Sequence, residues 1–112
     1  MGSTGSPSLV VTDARGRRVV PIDKELFTIG RRTETDLRLD GADISRVHAE
    51  IVNDKSVFTI RDRASRFGTF VNGERIQKRT RLQDGDQIVF GRTRAIVRMI
   101  DATAPTMTAP PI

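Results

Sequence analysis

Short apolar runs of three to six residues, each ended by a turn signal, dominate this sequence. Residues 9–12 run into Asp13-Ala14-Arg15-Gly16, and residues 26–29 end at Gly30. No segment sustains the period of about 3.6 residues that marks an amphipathic helix. Runs of this length between turn residues are typical of strands. The pattern therefore predicts an all-β protein.

The middle of the chain shows clear alternation of apolar and polar residues. Val47, Ala49 and Ile51 share one face of a predicted strand that starts at Val47, and His48 and Glu50 share the other. A period of two with one apolar face indicates a half-buried antiparallel strand. About ten such strands must bury their apolar faces against each other, so we predict an antiparallel β-sandwich.

Two further signals concern the second half of the chain. Asn72-Gly73 lies between apolar residues, and this dipeptide favours a type I′ hairpin because both of its central positions need φ > 0. Residues 95–100 form the predicted closing strand.

The 112 residues suffice for one domain. Residues 1–7 are almost entirely Gly, Ser and Thr, which predicts a disordered N-terminal segment or a remnant of an expression sequence. Residues 102–112 are rich in Pro, Thr and Ala without charge, which predicts a linker or tail. The folded domain is therefore expected at residues 8–101.

Composition narrows the classes of function. The chain has no cysteine and a single histidine, His48, so a thiolate or all-protein zinc site is not expected. We predict that the chain is not an enzyme, binds no metal or cofactor and does not span a membrane. We also predict a cytoplasmic location. Nineteen Lys and Arg face fourteen Asp and Glu, and almost all of the cations are Arg, which favours an anionic partner held in defined geometry.

Three predicted loops carry arginines beside hydroxyl groups. They contain Gly30-Arg31, Ser45-Arg46 and residues 65–69. Each of them alone is consistent with an ordinary turn. An Arg beside a hydroxyl donor suits a phosphate, because the guanidinium offers a planar pair of N–H groups to an oxyanion. Together they predict a phosphate site, with His48 hydrogen-bonded to the neighbouring loops rather than catalytic.

The order of these motifs resembles the forkhead-associated (FHA) domain, a module that recognises phosphothreonine. The resemblance covers residues 26–100 and includes the Asp84-Gly85-Asp86-x-Ile88-x-Phe90-Gly91 segment. It implies a sandwich of eleven or so strands, with binding loops at one end and the termini together at the other. The motifs that carry it are Gly30-Arg31, Ser45-Arg46-Val47-His48 and Ser65-x-x-Gly68-Thr69-x-x-Asn72-Gly73.

The resemblance also assigns roles to residues of this chain. Phosphate contacts are expected from Arg31, Ser45, Arg46 and Arg66. Peptide contacts are expected from Asn72, Phe67 and Asp43. The residues expected to shape the site are Gly30, His48, Gly68 and Thr69.

Phe67 departs from the family pattern, which commonly has an Asn that holds the peptide main chain at this position. A ring there could pack on a peptide side chain, and main-chain capture would then rest on Asn72. Asp43 lies where the family selects the residue three beyond the phosphothreonine, and its charge should disfavour an acidic residue there.

The expected partner is a phosphothreonine-containing protein, which implies an upstream Ser/Thr protein kinase. The chain is expected to be a monomeric domain of a larger protein. Two alternatives stay open. One is an FHA scaffold for phosphate-independent assembly or self-association. The other is a basic β domain that binds nucleic acid, although Phe67 is the only candidate for stacking on bases.

Overall fold

The computed structural model describes residues 7–99. The predicted segments 1–7 and 102–112 lie outside the described residues, apart from Pro7. The strands are β1 (Ser8–Asp13), β2 (Gly16–Pro21), β3 (Leu26–Gly30), β4 (Leu37–Arg38), β5 (Ala49–Asp54), β6 (Val57–Asp62), β7 (Thr69–Val71), β8 (Glu74–Arg75), β9 (Thr80–Leu82), β10 (Gln87–Phe90) and β11 (Thr93–Arg98).

The strands form two sheets packed face to face. One sheet has the order β2-β1-β11-β10-β7-β8, and the other has the order β4-β3-β5-β6-β9. This confirms the predicted β-sandwich. The pairing is antiparallel except between β3 and β4, which are parallel with Ile29 opposite Leu37.

The core lies between the sheets and is built from the alternating apolar residues. Leu9, Ile29, Ile51, Ile88 and Phe90 have no exposed side-chain surface. In β11 the alternation is complete, because every second residue from Thr93 onward is buried. This continuous core holds the strand ends, and with them the loops, in place.

The strand that begins at Val47 in the sequence prediction begins at Ala49 in the structure. Ser45 and Arg46, just before it, accept backbone hydrogen bonds from residues 31 and 32, which follow β3. His48 and Glu50, on the predicted polar face, are both buried, with exposed fractions of 0% and 5%. His48 packs edge-on against Phe90, with ring centroids 5.7 Å apart.

Glu50 is covered by two arginines, one in β6 and one directly after it. Arg61 Nε donates to one carboxylate oxygen at 2.8 Å, and Arg63 Nη1 donates to the other at 2.7 Å. A buried carboxylate is tolerated when it is paired and hydrogen-bonded in this way. Glu50 is therefore a structural ion-pair centre.

The Asn72-Gly73 hairpin is confirmed. The two residues have φ of 51° and 87°, and they join β7 to β8. Sequence alone did not reveal β9, which contributes the buried side chain of Leu82. The closing strand ends at Arg98, earlier than predicted.

The three loops of the predicted site lie at one end of the sandwich, and the two ends of the described domain lie at the other. Ser8 of β1 pairs with Arg98 of β11, so the ends of the described domain lie side by side. At the other end of β11, the backbone N–H of Arg92 donates to Asp43 at 2.8 Å. The loops that follow β3, β4 and β6 meet at that second end.

Candidate phosphopeptide-binding site

The exit of β3 is bonded directly to the loop that precedes β5. The Arg31 N–H donates to the Ser45 carbonyl at 3.0 Å, and the Arg32 N–H donates to the Arg46 carbonyl at 3.1 Å. Gly30 is needed for this approach, because a Cβ at Gly30 would lie 2.2 Å from the Arg46 carbonyl oxygen. The backbones of the two loops are thus in direct hydrogen-bonded contact.

Arg31 is exposed, but its guanidinium is anchored at one side. Arg31 Nε donates to the Ile44 carbonyl at 3.1 Å. This bond uses only the Nε–H group, so both terminal nitrogens remain for a bidentate contact with an oxyanion. Arg31 and Arg46 both line an open cavity of about 540 Å³. Arg32 and Arg38 line it as well.

Ser45 connects the second loop to the third. Its hydroxyl oxygen accepts the backbone N–H of Arg66 at 2.9 Å. A hydroxyl has one donor and two acceptor positions, so this bond leaves the hydroxyl hydrogen able to donate. Among residues 7–99 that hydrogen has no acceptor.

His48 joins the same two loops from beneath. Its Nδ1 accepts the Ser45 N–H at 3.1 Å, and its Nε2 lies 2.8 Å from the Gly68 carbonyl oxygen. An Nδ1 that accepts requires the neutral tautomer with hydrogen on Nε2, which then donates to Gly68. The buried imidazole therefore holds the loops together and has no catalytic geometry.

Asp62, which the sequence analysis did not identify, organises the third loop. It accepts the Ser65 N–H at 2.9 Å, the Ser65 hydroxyl and the Thr69 hydroxyl at 2.7 Å. Ser65 Oγ in turn accepts the Gly68 N–H at 2.9 Å. The local spacing of Asp62, Ser65 and Thr69 was a readable signal, because Asp and Ser commonly bond the backbone of their own turn.

Gly68 occupies a position that other residues could not. Its φ is +89°, and a Cβ there would lie 2.6 Å from Arg75 Nε. Glycine tolerates this conformation because it has no Cβ. The predicted shaping residues Gly30, His48, Gly68 and Thr69 thus all lie within the hydrogen-bonded base of the loops.

Arg66 and Phe67 stand at the tip of the third loop. The Arg66 guanidinium carbon is 5.7 Å from the centroid of the Phe67 ring, within the range of a cation–π contact. The Phe67 side chain is 49% exposed. The loop beneath is held at Ser65, Arg66 and Gly68, so the ring is presented from a fixed backbone.

Asn72 does not join these loops. Its Nδ2 donates to Asp86 at 3.0 Å, and its Oδ1 accepts the Gln87 N–H at 3.0 Å. Both ends of the amide are therefore occupied in holding the hairpin to β10. These bonds give Asn72 a structural role, and its expected contact with a peptide main chain stays a prediction.

Asp43 is half-buried and tied to the turn between β10 and β11. Its Oδ2 accepts the Arg92 N–H at 2.8 Å, and a Cβ on Gly91 would lie 2.6 Å from the same oxygen. The carboxylate lies at the same end of the sandwich as the three loops, and one of its oxygens already accepts a hydrogen bond.

The comparisons with known proteins agree with this arrangement. The family model for the FHA domain matches residues 27–91, which is more than half of the chain. The chain belongs to the FHA domain family. The match spans all three loops and the core strands between them.

Curated relatives of this FHA domain differ widely in length. Nibrin of Danio rerio is 34% identical over 71% of this chain and 10% of its own length. The transcriptional regulatory protein EmbR of Mycobacterium tuberculosis is 38% identical over 68% of this chain and 20% of its own length. The oxoglutarate dehydrogenase inhibitor of Corynebacterium efficiens is 37% identical over 67% of this chain. The chain spans between a tenth and about half of these relatives.

Solved FHA structures superpose over most of the chain. One, from a study of phosphothreonine-dependent FHA domain interactions, has a TM-score of 0.77 and 35% identity, and covers 85% of this chain and 97% of its own. The FHA domain of FhaA, complexed with the intracellular domain of Rv3910, has a TM-score of 0.76 and 34% identity, and covers 83% of this chain and 100% of its own.

Two kinds of feature are absent from the described part of the FHA domain. Residues 7–99 contain no group of three or more His, Cys, Asp or Glu arranged to hold a metal ion. The same residues contain no helix long and apolar enough to cross a membrane.

The Asp62 carboxylate predicts a pH dependence of stability. Burial alone would raise its pKa, but hydrogen bonds from the Ser65 hydroxyl, the Thr69 hydroxyl and the Ser65 N–H hold the pKa below the usual 3.8. A lowered pKa in the folded state stabilises the protein above the unfolded value, and this stabilisation is lost as pH falls through the folded value.

We therefore expect urea unfolding to show stability falling below about pH 4. Asp62→Asn should lower stability near neutral pH by about 1–3 kcal/mol, because bonds to a charged acceptor become bonds to a neutral one. It should also flatten the acid dependence. Equal acid slopes for the variant and the wild type would contradict this role of Asp62.

Proposed function

We propose that this FHA domain binds a phosphothreonine-containing segment of a partner protein and performs no catalysis. The observation that carries the proposal is the joint presentation of the Arg31 guanidinium and the Ser45 hydroxyl at loops bonded to each other. Both are donors, and a phosphate of charge about −1.5 to −2 accepts strongly from both.

Arg46 and Arg66 supply further positive charge beside this pair. Arg46 shares the cavity of Arg31, and the backbone N–H of Arg66 is bonded to Ser45. We assign both as secondary phosphate contacts. Their mutual repulsion in the empty site favours the binding of a dianion over a neutral side chain.

Phe67 supplies an apolar contact for the peptide where the family commonly has Asn. A half-exposed ring on a held backbone loses little conformational freedom when a peptide side chain packs on it. We assign it to a residue adjacent to the phosphothreonine. Asp43 borders the region further along the peptide and disfavours an acidic side chain there.

A phosphothreonine ligand implies a Ser/Thr protein kinase upstream. The small share of nibrin and EmbR that the chain covers supports a domain of a larger protein, for which we propose a cytoplasmic location. EmbR of Mycobacterium tuberculosis has been solved with a low-affinity phosphopeptide.

An oriented peptide library tests the proposal. Peptides with a central phosphothreonine should bind, and the same peptides with threonine or phosphoserine should bind at least tenfold more weakly, which corresponds to about 1.4 kcal/mol. Fluorescence anisotropy measures the affinities, and the selected sequences should show apolar residues beside the phosphothreonine. Equal binding of phosphorylated and unphosphorylated peptides would replace the proposal by a phosphate-independent scaffold.

A further inference from the structure

A second basic cleft lies beside the proposed phosphate site and has no part in the function proposed above. It has a volume of about 600 Å³ and lies between the end of β6 and the connection from β8 to β9. Its polar and apolar walls are formed mainly by Arg61, Asp62, Arg75, Ile76, Lys78 and Arg79. We refer to it below as the β8–β9 cleft.

The cations at the mouth of the β8–β9 cleft are not neutralised by the rest of the described domain. Arg75, Lys78 and Arg79 are exposed, and none of them forms an ion pair within residues 7–99. Arg61 differs, because its guanidinium is paired with the buried Glu50. Three unpaired cations around one concave surface attract an anionic ligand.

Asp62 is the one carboxylate that lines the cleft, and its oxygens face inward. They accept hydrogen bonds from Ser65 and Thr69 at the base of the third loop. Its charge reduces the positive potential at the back of the cleft but leaves the mouth basic. Anions are therefore expected at the mouth, near Lys78 and Arg79.

The backbone that carries these cations is held by its own contacts. The side chain of Ile76 is only 9% exposed, and its N–H donates to the Thr69 carbonyl at 2.9 Å. The Thr80 hydroxyl donates to the Lys78 carbonyl at 2.9 Å. The shape of the cleft is thus set by a fixed backbone and not only by the conformations of long side chains.

The cleft and the phosphate site share the loop between β6 and β7. Arg75 lies against Gly68, with its Nε 2.6 Å from the position that a Cβ on Gly68 would take. The Gly68 carbonyl is bonded to His48, which also holds Ser45. An extended chain advances about 3.3 Å per residue, so six residues of a bound peptide extend about 20 Å from its phosphothreonine.

We propose that the β8–β9 cleft binds acidic side chains, either carboxylates or a second phosphate, of the same protein segment whose phosphothreonine occupies the first site. The inference rests on the proposed function and specifies its ligand further. An acidic segment of protein is favoured over nucleic acid because binding of single strands relies on stacking against aromatic rings. None of the residues that line the cleft is aromatic.

The test compares three synthetic phosphothreonine peptides by isothermal titration calorimetry. One has neutral flanks, one carries three aspartates N-terminal to the phosphothreonine, and one carries them C-terminal to it. We expect one acidic peptide to bind the wild type roughly three- to tenfold more tightly than the neutral peptide, as a few exposed charge pairs allow. The double variant Lys78→Ala/Arg79→Ala should lose that gain and keep its affinity for the neutral peptide.

The matched control is the double variant Arg17→Ala/Arg98→Ala. It removes the same charge from two exposed arginines on β2 and β11, which do not line the cleft. It should keep the preference for the acidic peptide. Equal losses in both double variants would overturn the inference, because the gain would then reflect net charge alone.

Two other outcomes would also overturn the inference. The first is the same affinity for neutral and acidic phosphopeptides. The second is binding of a single-stranded thymidine oligonucleotide that depends on Lys78 and Arg79, without any preference for acidic peptides. By contrast, neutral-flanked peptides that bind equally with and without phosphate would disprove the proposed function itself, and the inference with it.

Discussion

Replacing Arg31 by alanine should weaken phosphothreonine-peptide binding roughly ten- to a hundredfold and leave the fold intact. The guanidinium is exposed, and its only described side-chain contact is the bond from Nε to the Ile44 carbonyl. The substitution removes only this one bond within the described domain, so the fold should remain intact. A phosphate that loses its charged donor loses bonds worth about 1.5–3 kcal/mol each.

Two controls make this result specific. Arg31→Lys keeps the charge but not the planar pair of donors, so it should recover only part of the affinity. Arg17→Ala removes an exposed arginine from β2 and should leave binding unchanged. Calorimetry gives the affinities, and urea unfolding verifies the fold. Wild-type affinity in Arg31→Ala would show that the phosphate binds elsewhere.

The largest effect on stability is expected from Gly30→Ala. A Cβ at Gly30 would lie 2.2 Å from the Arg46 carbonyl oxygen, 2.8 Å from the carbonyl carbon of the same residue and 2.9 Å from Val47 Cα. All three are backbone atoms, so no side chain can rotate away. The loop must move as a whole, and this would break the hydrogen bonds from Arg31 N to Ser45 and from Arg32 N to Arg46.

We expect Gly30→Ala to lower the free energy of unfolding by about 2–4 kcal/mol. It should also weaken phosphopeptide binding, because Arg31 and Ser45 would lose their relative position. Gly73→Asn is the control, since nothing lies within 4 Å of a Cβ there and Asn tolerates its positive φ. A Gly30→Ala protein as stable as this control would show that the close approach is not required.

Local patterns of the sequence predicted much of the fold. The alternation in β5 and the Asn72-Gly73 hairpin are properties of adjacent residues, which is why the sequence predicts them directly. The short strand β9 was missed because three residues with one buried side chain, Leu82, show no period. The true start of β5 was missed because residues 45 and 46 pair with the exit of β3, which is a tertiary contact.

In the candidate site, too, local features were predictable from the sequence and long-range contacts were not. The residue types in the three loops were evident from the sequence, but the burial of His48 was not, because the loop that covers it comes from twenty residues further along the chain. The role of Asn72 depends on Asp86, fourteen residues away. The role of Asp62 is local, because both of its side-chain donors, Ser65 and Thr69, lie within seven residues of it.

The imidazole of His48 has a consequence for the kinetics of recognition. Because it already joins the Ser45 loop to the Gly68 loop, little of the binding surface needs to be ordered when a ligand arrives. The association rate should then be set by diffusion. The attraction between the chain, of net charge +5, and an anionic ligand should raise this rate, and salt should weaken that attraction. Differences between good and poor peptides should therefore appear mainly in how long each complex lasts.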